Sequence, residues 1–252
     1  MTMTESTGVS SDEDGPQIEF RSDMTVELVR SSAHDSDVLF AARVSTKGEQ
    51  SLEEVDADAE RSKGLINFLM RDRHGTPFEQ NSMTFYVHAP IFVFREHMRH
   101  RMASYNEESG RYRELRPVFY VPGPKRKLVQ EGKPGHYTFV DGTAEQHALV
   151  GAETRRVCAE AYAAYRRMLG AGIAREVARI VLPVTIYSSM YVTFNARSLM
   201  NFLSLRTRRE DSRFPSFPQR EIEMVAEKME AEWARLMPLT HAAFEGNGRV
   251  AP

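Results

Sequence analysis

Cysteine is almost absent from the 252-residue chain, which has only Cys158. No intramolecular disulfide can form and a cysteine zinc cage is excluded, which fits a reducing, cytoplasmic setting. Cys158 lies in the helical-looking run Val157-Cys158-Ala159-Glu160-Ala161, so a small buried core residue is a better reading than a nucleophile. No stretch approaches the roughly 18–20 apolar residues of a membrane span. The first residues are polar and acidic, with no basic-then-apolar leader. A cytoplasmic protein with no membrane partner is therefore expected. Neither charge dominates: 33 Lys and Arg stand against 35 Asp and Glu, a net −2. A protein that grips nucleic-acid polymers is usually basic overall, so none is expected as a partner. There is no G-x-G-x-x-G and no G-x-x-x-x-G-K-[ST]. A Rossmann or P-loop route to nucleotide binding is not expected.

Hydrophobic residues make up 41% and charged residues 27%, the balance of a soluble chain with a proper core. Residues 1–17 read as a flexible acidic tail and 18–252 as one domain, without an internal repeat or a clear linker. Alternation predicts strands over Met24–Val29 and Ser82–Ala89, and β-branched and aromatic residues predict another over Thr185–Phe194. Val118–Val121 is a short strand candidate. Helices are predicted from Asp35 or Ser36 (as cap) to Ser45, and over Ala59–Arg71 with Leu65, Phe68 and Leu69 on one face. Others are predicted from about Ile91 to Arg101, Gln146–Gly172, Ala174–Leu182, from an Asn195 cap to about Leu205, and over Gln219–Leu236. Ser104–Arg113 reads as a loop, and Pro122–Gly135 as an exposed insertion. Strands and helices mix without regular βαβ alternation, so the fold class is α+β: one mixed domain with a central antiparallel-type sheet and packed long helices.

Between Arg95 and Arg116 there are six arginines and no lysine. Guanidinium groups bind phosphate and carboxylate in a planar fork and stack on flat rings. A helix anchored by Ile91, Phe92 and Phe94 would project Arg99, His100 and Arg101 at a ligand. Ser104, Asn106, Ser109 and the Gly110 backbone supply short donors, and Glu107 an acceptor. Charge alone leaves a second reading open, a solvated helix whose arginines pair with Glu96, Glu107, Glu108 and Glu114. A third is a binding module that stacks bases on Tyr105 and Tyr112. His97 and His100 stand at i and i+3, but no third ligand has suitable spacing, and no metal is expected.

The run Arg99-His100-Arg101-Met102-Ala103-Ser104-Tyr105-Asn106-Glu107-Glu108-Ser109-Gly110-Arg111-Tyr112 resembles the R-H-R-x-x-S-x-N-E-x-S-x-R-Y signature of flavin-dependent thymidylate synthases at all nine fixed positions. His74-Gly75-Thr76-Pro77-Phe78-Glu79 and Ala89-Pro90-Ile91-Phe92-Val93 resemble upstream blocks of that family. Ala174–Arg179 with Leu182-Pro183, and Asn195–Phe202 through Arg206, resemble later ones. The resemblance covers about Met24 to Arg206, and a different pyrimidine on the same scaffold stays open.

It implies reductive methylation of dUMP to dTMP, with 5,10-methylenetetrahydrofolate as carbon donor and FAD relaying hydride from NADPH. Cys158 lies in no family block, so the resemblance implies activation of uracil by a cation, Arg206, rather than by a thiolate. Such a guanidinium would stabilise charge developing on the imide. The resemblance places His74 beside the flavin. FAD contacts are implied for Thr76, Arg99, His100, Arg101, Glu107, Asn195, Arg197 and Asn201. Those to dUMP are implied for Glu96, Arg99, Glu107, Glu108, Ser109, Gly110, Arg111, Arg179 and Arg206. Glu96 stands where relatives often carry glutamine, and an ionised carboxylate cannot donate. A homotetramer with active sites shared between chains is also implied.

Overall fold

The computed structural model describes residues 17–48, 59–133 and 136–252, so the expected acidic tail lies outside it but for Gln17. The described residues form a mixed α+β fold around one antiparallel sheet. The sheet runs β2 (Thr25–Ser32), β3 (Ser82–Pro90), β8 (Tyr187–Phe194) and β4 (Ser104–Glu107) in that spatial order. β1 (Glu19–Arg21) pairs in parallel with β5 (Val118–Tyr120), and β6 (Val129–Lys133) forms a ladder with β7 (His136–Val140).

Alternation in β3 decides which face is buried. Met83, Phe85 and Val87 are fully enclosed, and Met190, Val192 and Phe194 of β8 join them on that face. The opposite face is polar: Thr84 meets Thr193 at 2.9 Å, and Tyr86 meets the Ser189 hydroxyl at 2.9 Å. A one-residue slip would exchange the two faces, so burial pins the register.

Helices α1 (Asp35–Lys47), α2 (Ala59–Arg71), α6 (Ala196–Arg206), α7 (Arg220–Leu236) and α8 (Pro238–Gly246) contribute to the core on the apolar side. Leu199, Phe202 and Leu203 of α6 and Ile222, Val225, Met229 and Trp233 of α7 are buried in it. Each large apolar side chain so buried contributes about 1.5–3 kcal/mol. A second core forms under α4 (Ala144–Gly170), where Cys158, Tyr162 and Tyr165 meet Phe119 and Ile186. Cys158 is buried there as expected, 3.3 Å from the Thr185 hydroxyl, and burial pushes its thiol up.

Several expectations are corrected. The helix expected to reach Arg101 is α3, Ile91–His97; tighter turns follow, with Arg99 N–H on Glu96 O and His100 N–H on His97 O. The Tyr105 hydroxyl bridges the carbonyl oxygens of His97 and His100, which fixes that turn. Arg99, His100 and Arg101 therefore project from a turn and not from a helix. Ser104–Glu107 is no loop: edge pairing with Thr193–Met190 makes it β4. The expected 122–135 insertion holds β6 and ends beside the partner strand β7; residues 134–135 lie outside the described residues. The expected helix over Ala174–Leu182 is short, α5 (Arg175–Ala178), continued as a 3-10 turn over Arg179–Val181. Phe68 faces outward from α2, its ring edge-on to His74 at 5.5 Å. His34, not Asp35 or Ser36, occupies the α1 cap. Asp35 instead caps α8, accepting from Leu239 N–H at 2.8 Å and Thr240 N–H at 2.9 Å.

Candidate active site

The arginines of the signature do not form a salt-bridged surface helix. Among the described residues the side chains of Arg95, Arg99 and Arg101 are exposed, and their guanidinium groups make no hydrogen bond or ion pair. The nearby glutamates are paired elsewhere: Glu96 with Arg206, Glu114 with Arg166, and Glu108 with Arg113. Unpaired guanidinium groups on a turn remain free for an anionic ligand.

Arg206 ends α6, where the helix dipole favours a cation. Its Nη1 donates to Glu96 Oε2 at 2.7 Å and its Nε to His100 Nε2 at 3.0 Å. His100 must be neutral to accept. Burial and then the Arg206 charge push its imidazole down to about 4. His97 lies behind it, wholly buried and stacked on Phe202 at 4.5 Å, with neither ring nitrogen hydrogen-bonded. Burial, with the nearby His100 and Arg206 charges, holds it down to about 3. The guanidinium of Arg206 is thus oriented by one anion and one neutral acceptor while part of it still faces outward.

A second group lines a cavity of about 210 Å³, where Glu107, Glu108, Gly110, Arg179 and Ser188 meet. Burial pushes the Glu107 carboxyl up, opposed by the nearby Ser188 hydroxyl and Arg179. The Ser188 hydroxyl is buried without a hydrogen bond. Gly110 permits the close approach: a Cβ there would lie 3.1 Å from Leu115 and 3.3 Å from the Arg179 stem. Ser109 Oγ accepts from Arg111 N–H at 3.3 Å. Arg111 Nε donates to Glu176 at 2.8 Å, in an exposed pair worth about 0–1 kcal/mol that a phosphate can displace.

A third group surrounds the turn after α2. His74 and Thr76 line a cavity of about 870 Å³ whose opposite wall is Phe40, Val44 and Ser45 of α1. The turn bends through Arg73, which adopts a left-handed backbone at φ 65°. Arg197 Nη1 donates to Glu79 at 2.5 Å and its Nε to Pro252 O at 2.7 Å. Gly75 lies against that guanidinium; a Cβ would fall 2.6 Å from Arg197 Nε and 2.8 Å from Nη2. Asn195 caps α6, its Oδ1 accepting from Ser198 N–H at 2.8 Å, and Asn201 Nδ2 donates to Arg197 O at 3.1 Å. Sequence reading did not single out Gly75 and Glu79 as partners of Arg197, although both stand in the His74–Glu79 block. It missed the α1 wall entirely, since only the fold brings α1 to that turn.

Among the described residues, Glu230, His241 and Glu245 could converge on an ion. A guanidinium already sits there, with Arg249 Nη1 at 2.7 Å from Glu230 and 3.6 Å from Glu245.

Residues 27–239 match the family described as Thymidylate synthase complementing protein. The chain is 73% identical over 240 residues to a flavin-dependent thymidylate synthase of Streptomyces coelicolor, covering 95% of this chain and 98% of that one. The chain belongs to the flavin-dependent thymidylate synthase family. A flavin-dependent thymidylate synthase of Tropheryma whipplei is 61% identical over 92% of this chain and 97% of its own. The fold matches a UMP/dUMP methylase, PolB, from Streptomyces cacaoi, solved with 5-Br dUMP. The TM-score is 0.88 at 58% identity, over 93% of this chain and 100% of that one. Against this family, the implied site residues fall into the three groups above. Arg206 touches both Glu96 and His100, and Glu107, Glu108, Gly110 and Arg179 share a cavity. His74 and Thr76 share another. Arg99 and Arg101 stand on the turn that carries His100.

Proposed function

We propose that this chain methylates dUMP to dTMP reductively, taking the carbon from 5,10-methylenetetrahydrofolate and the hydride from NADPH through FAD. The observation that carries this reading is the placement of Arg206, held by Glu96 and His100 at the end of α6, while the one thiol, Cys158, is buried in the second core. A fixed guanidinium stabilises negative charge on the uracil imide, which makes C5 nucleophilic. His100, neutral, orients it without adding a competing positive charge. The phosphate is received by Arg111, Arg179, the Ser109 hydroxyl and the Gly110 N–H. Displacing the exposed Glu176 pair frees Arg111 for it. Glu107 and Glu108 face the same cavity, and Glu107 accepts from a ribose hydroxyl or the imide N–H. Arg99 and Glu107 stand between nucleotide and flavin.

Flavin fits the residues present. Arg99 and Arg101 are unpaired cations suited to a diphosphate. Gly75 keeps open the approach of Arg197, and Thr76 and His74 edge the larger cavity. Asn195, Asn201 and His100 complete the expected set. When bound, the flavin supplies hydride; the chain's own residues bind, orient and exclude water. His74 stands where it helps place the folate. The dispersal of these groups over one chain supports a homotetramer whose active sites are shared between neighbours. The single cysteine supports a cytoplasmic location. Among the described residues no helix is long and apolar enough to cross a membrane.

Tritium release from C5-labelled dUMP, with methylenetetrahydrofolate and NADPH, tests the reading. Wild-type protein should be yellow and release tritium, and Arg206→Ala should keep its flavin and lose release. A colourless protein that cannot be reconstituted with FAD, or full activity in Arg206→Ala, overturns it. Sizing tests the assembly; an active species of 28.7 kDa rules out the shared site. One observation favours a second pyrimidine: the PolB relative is a UMP/dUMP methylase. An arm of the same assay with labelled UMP decides whether the ribonucleotide is also taken.

A further inference from the structure

The residue after Arg206 is the buried Thr207, and its side chain is fixed from two directions. Thr207 Oγ1 donates to Leu203 O at 2.7 Å and accepts from Arg249 Nη2 at 3.0 Å. Arg249 comes from the far end of the chain, outside the residues that match the family. Its guanidinium is buried, lies over the Phe244 ring at 4.9 Å, and has Nη1 at 2.7 Å from Glu230. Its backbone is left-handed, φ 58°, a conformation that a non-glycine residue adopts at a cost. Glu230, on α7, also receives Arg209 at 3.2 Å and His241 at 3.1 Å. Burial alone would raise its carboxyl; His241, Arg249 and Arg209 hold it down to about 2.

An ion pair that served stability alone would need only the carboxylate. Buried pairs of that kind are often replaceable by apolar side chains. Here the second arm of Arg249 reaches past Glu230 to the hydroxyl adjoining Arg206. Thr207 O accepts in addition from the Ser216 hydroxyl at 2.7 Å, so the backbone just beyond α6 is held on both sides. Among the described residues the Arg206 guanidinium itself is tied only by Glu96, on α3, and His100, on the turn that follows it. Its placement therefore depends on how firmly the end of α6 is set.

We propose that Arg249, acting through Thr207, is a positioning residue for Arg206. The inference rests on the role given to Arg206 above. A misplacement of about 1 Å at a reacting group can cost ~100-fold in rate, so a loosened α6 end should be visible in turnover before it is visible in folding.

The test uses the flavin-loaded full chain and the series Thr207→Val, Thr207→Ser and Arg249→Lys. Valine keeps the shape and removes the hydroxyl, and serine keeps both hydrogen bonds. Lysine keeps a charge beside Glu230 and removes the fork. Three quantities are read: kcat for tritium release, flavin bound per chain, and the titration midpoint of His100 by NMR. The last responds to Arg206, whose Nε donates to that imidazole and whose charge adds to burial in depressing it, and it needs no turnover. Thr207→Val and Arg249→Lys should lose about tenfold in kcat, keep their flavin, and move the His100 midpoint upward. Thr207→Ser should stay within about twofold of wild type with an unmoved midpoint. Unchanged kcat and an unchanged midpoint in Thr207→Val, with only a lower Tm, overturn the proposal. An inactive wild-type protein would instead overturn the proposed reaction, and the His100 midpoint would still decide whether Arg249 positions Arg206.

Discussion

The carboxylate of Glu96 accepts from Arg206 at 2.7 Å, so the cation expected at the uracil ring has an anion as its nearest partner. The pair is only partly exposed, and it sets both the direction and the effective charge of the guanidinium. Glutamine at position 96 would keep the acceptor oxygen and remove the charge. Glu96→Gln should therefore hold kcat for tritium release within about threefold of wild type. Glu96→Ala should lose tenfold or more, because His100 is then the one side chain left to aim Arg206 among the described residues. Equal losses in both variants would show that the charge matters and the hydrogen bond does not.

Gly75 and Arg197 make a different kind of test, since the clash there is with the end of a flexible side chain. Gly75→Ala should displace the guanidinium from Glu79 and Pro252 at little cost to folding. The expected result is a Tm within a few degrees of wild type and a clearly weaker hold on FAD, measured by flavin released on dilution. A fall in Tm with FAD retained would mean that the glycine serves the backbone instead.

Three imidazoles govern the acid side of stability. His97 is held down to about 3, and His100 and His88 to about 4, in each case first by burial. Unfolded histidines titrate near 6.5. Between about pH 6.5 and 4 the unfolded chain takes up protons that the folded one refuses, so stability falls as pH falls through that window. It is complete above 6.5. Tm followed from pH 7.5 to 5, a range above most carboxylate titration, should show this decline. His97→Phe should flatten it and leave Tm at pH 7.5 no lower, because two buried unpaired ring nitrogens disappear.

Asp35 offers a stability change with no expected effect on chemistry. Its carboxylate accepts from both the Thr240 N–H at 2.9 Å and the Thr240 hydroxyl at 2.6 Å. Asp35→Ala should cost about 1–2 kcal/mol, the usual worth of such a cap. Urea titration would register it as a lower midpoint with unchanged tritium release.

Much of this was readable from residues near one another in the chain. Met83, Phe85 and Val87 against Thr84 and Tyr86 gave the two faces of β3, although His88, in register with the polar set, is itself buried. Asn195 ahead of an apolar stripe marked the start of α6. The failures share a cause. Ser104–Glu107 has no strong strand composition and becomes β4 only because β8 pairs with it. The helix α8 is not among those predicted: Pro238 opens it, and its first N–H groups are capped from Asp35, roughly two hundred residues earlier in the chain. Arg249 against Thr207, and Glu96 against Arg206, likewise join positions no local pattern connects. The signature named the family, yet the groups that steer its arginine lie where only the packed structure brings them.

The central strand carries one further consequence, for the order in which the molecule is made. Met83 of β3 pairs with Phe194 of β8, a contact separated by roughly a hundred residues of chain. Its other neighbour, β2, is synthesised earlier, so while roughly a hundred further residues are made β3 is a strand with one unpaired edge and an uncovered apolar face. Closure waits for β8, and the last residues that touch Arg197 and Thr207 come later still. A ribosome-bound chain stopped before Tyr187 should therefore be sticky and protease-sensitive, and should fold only once β8 has emerged.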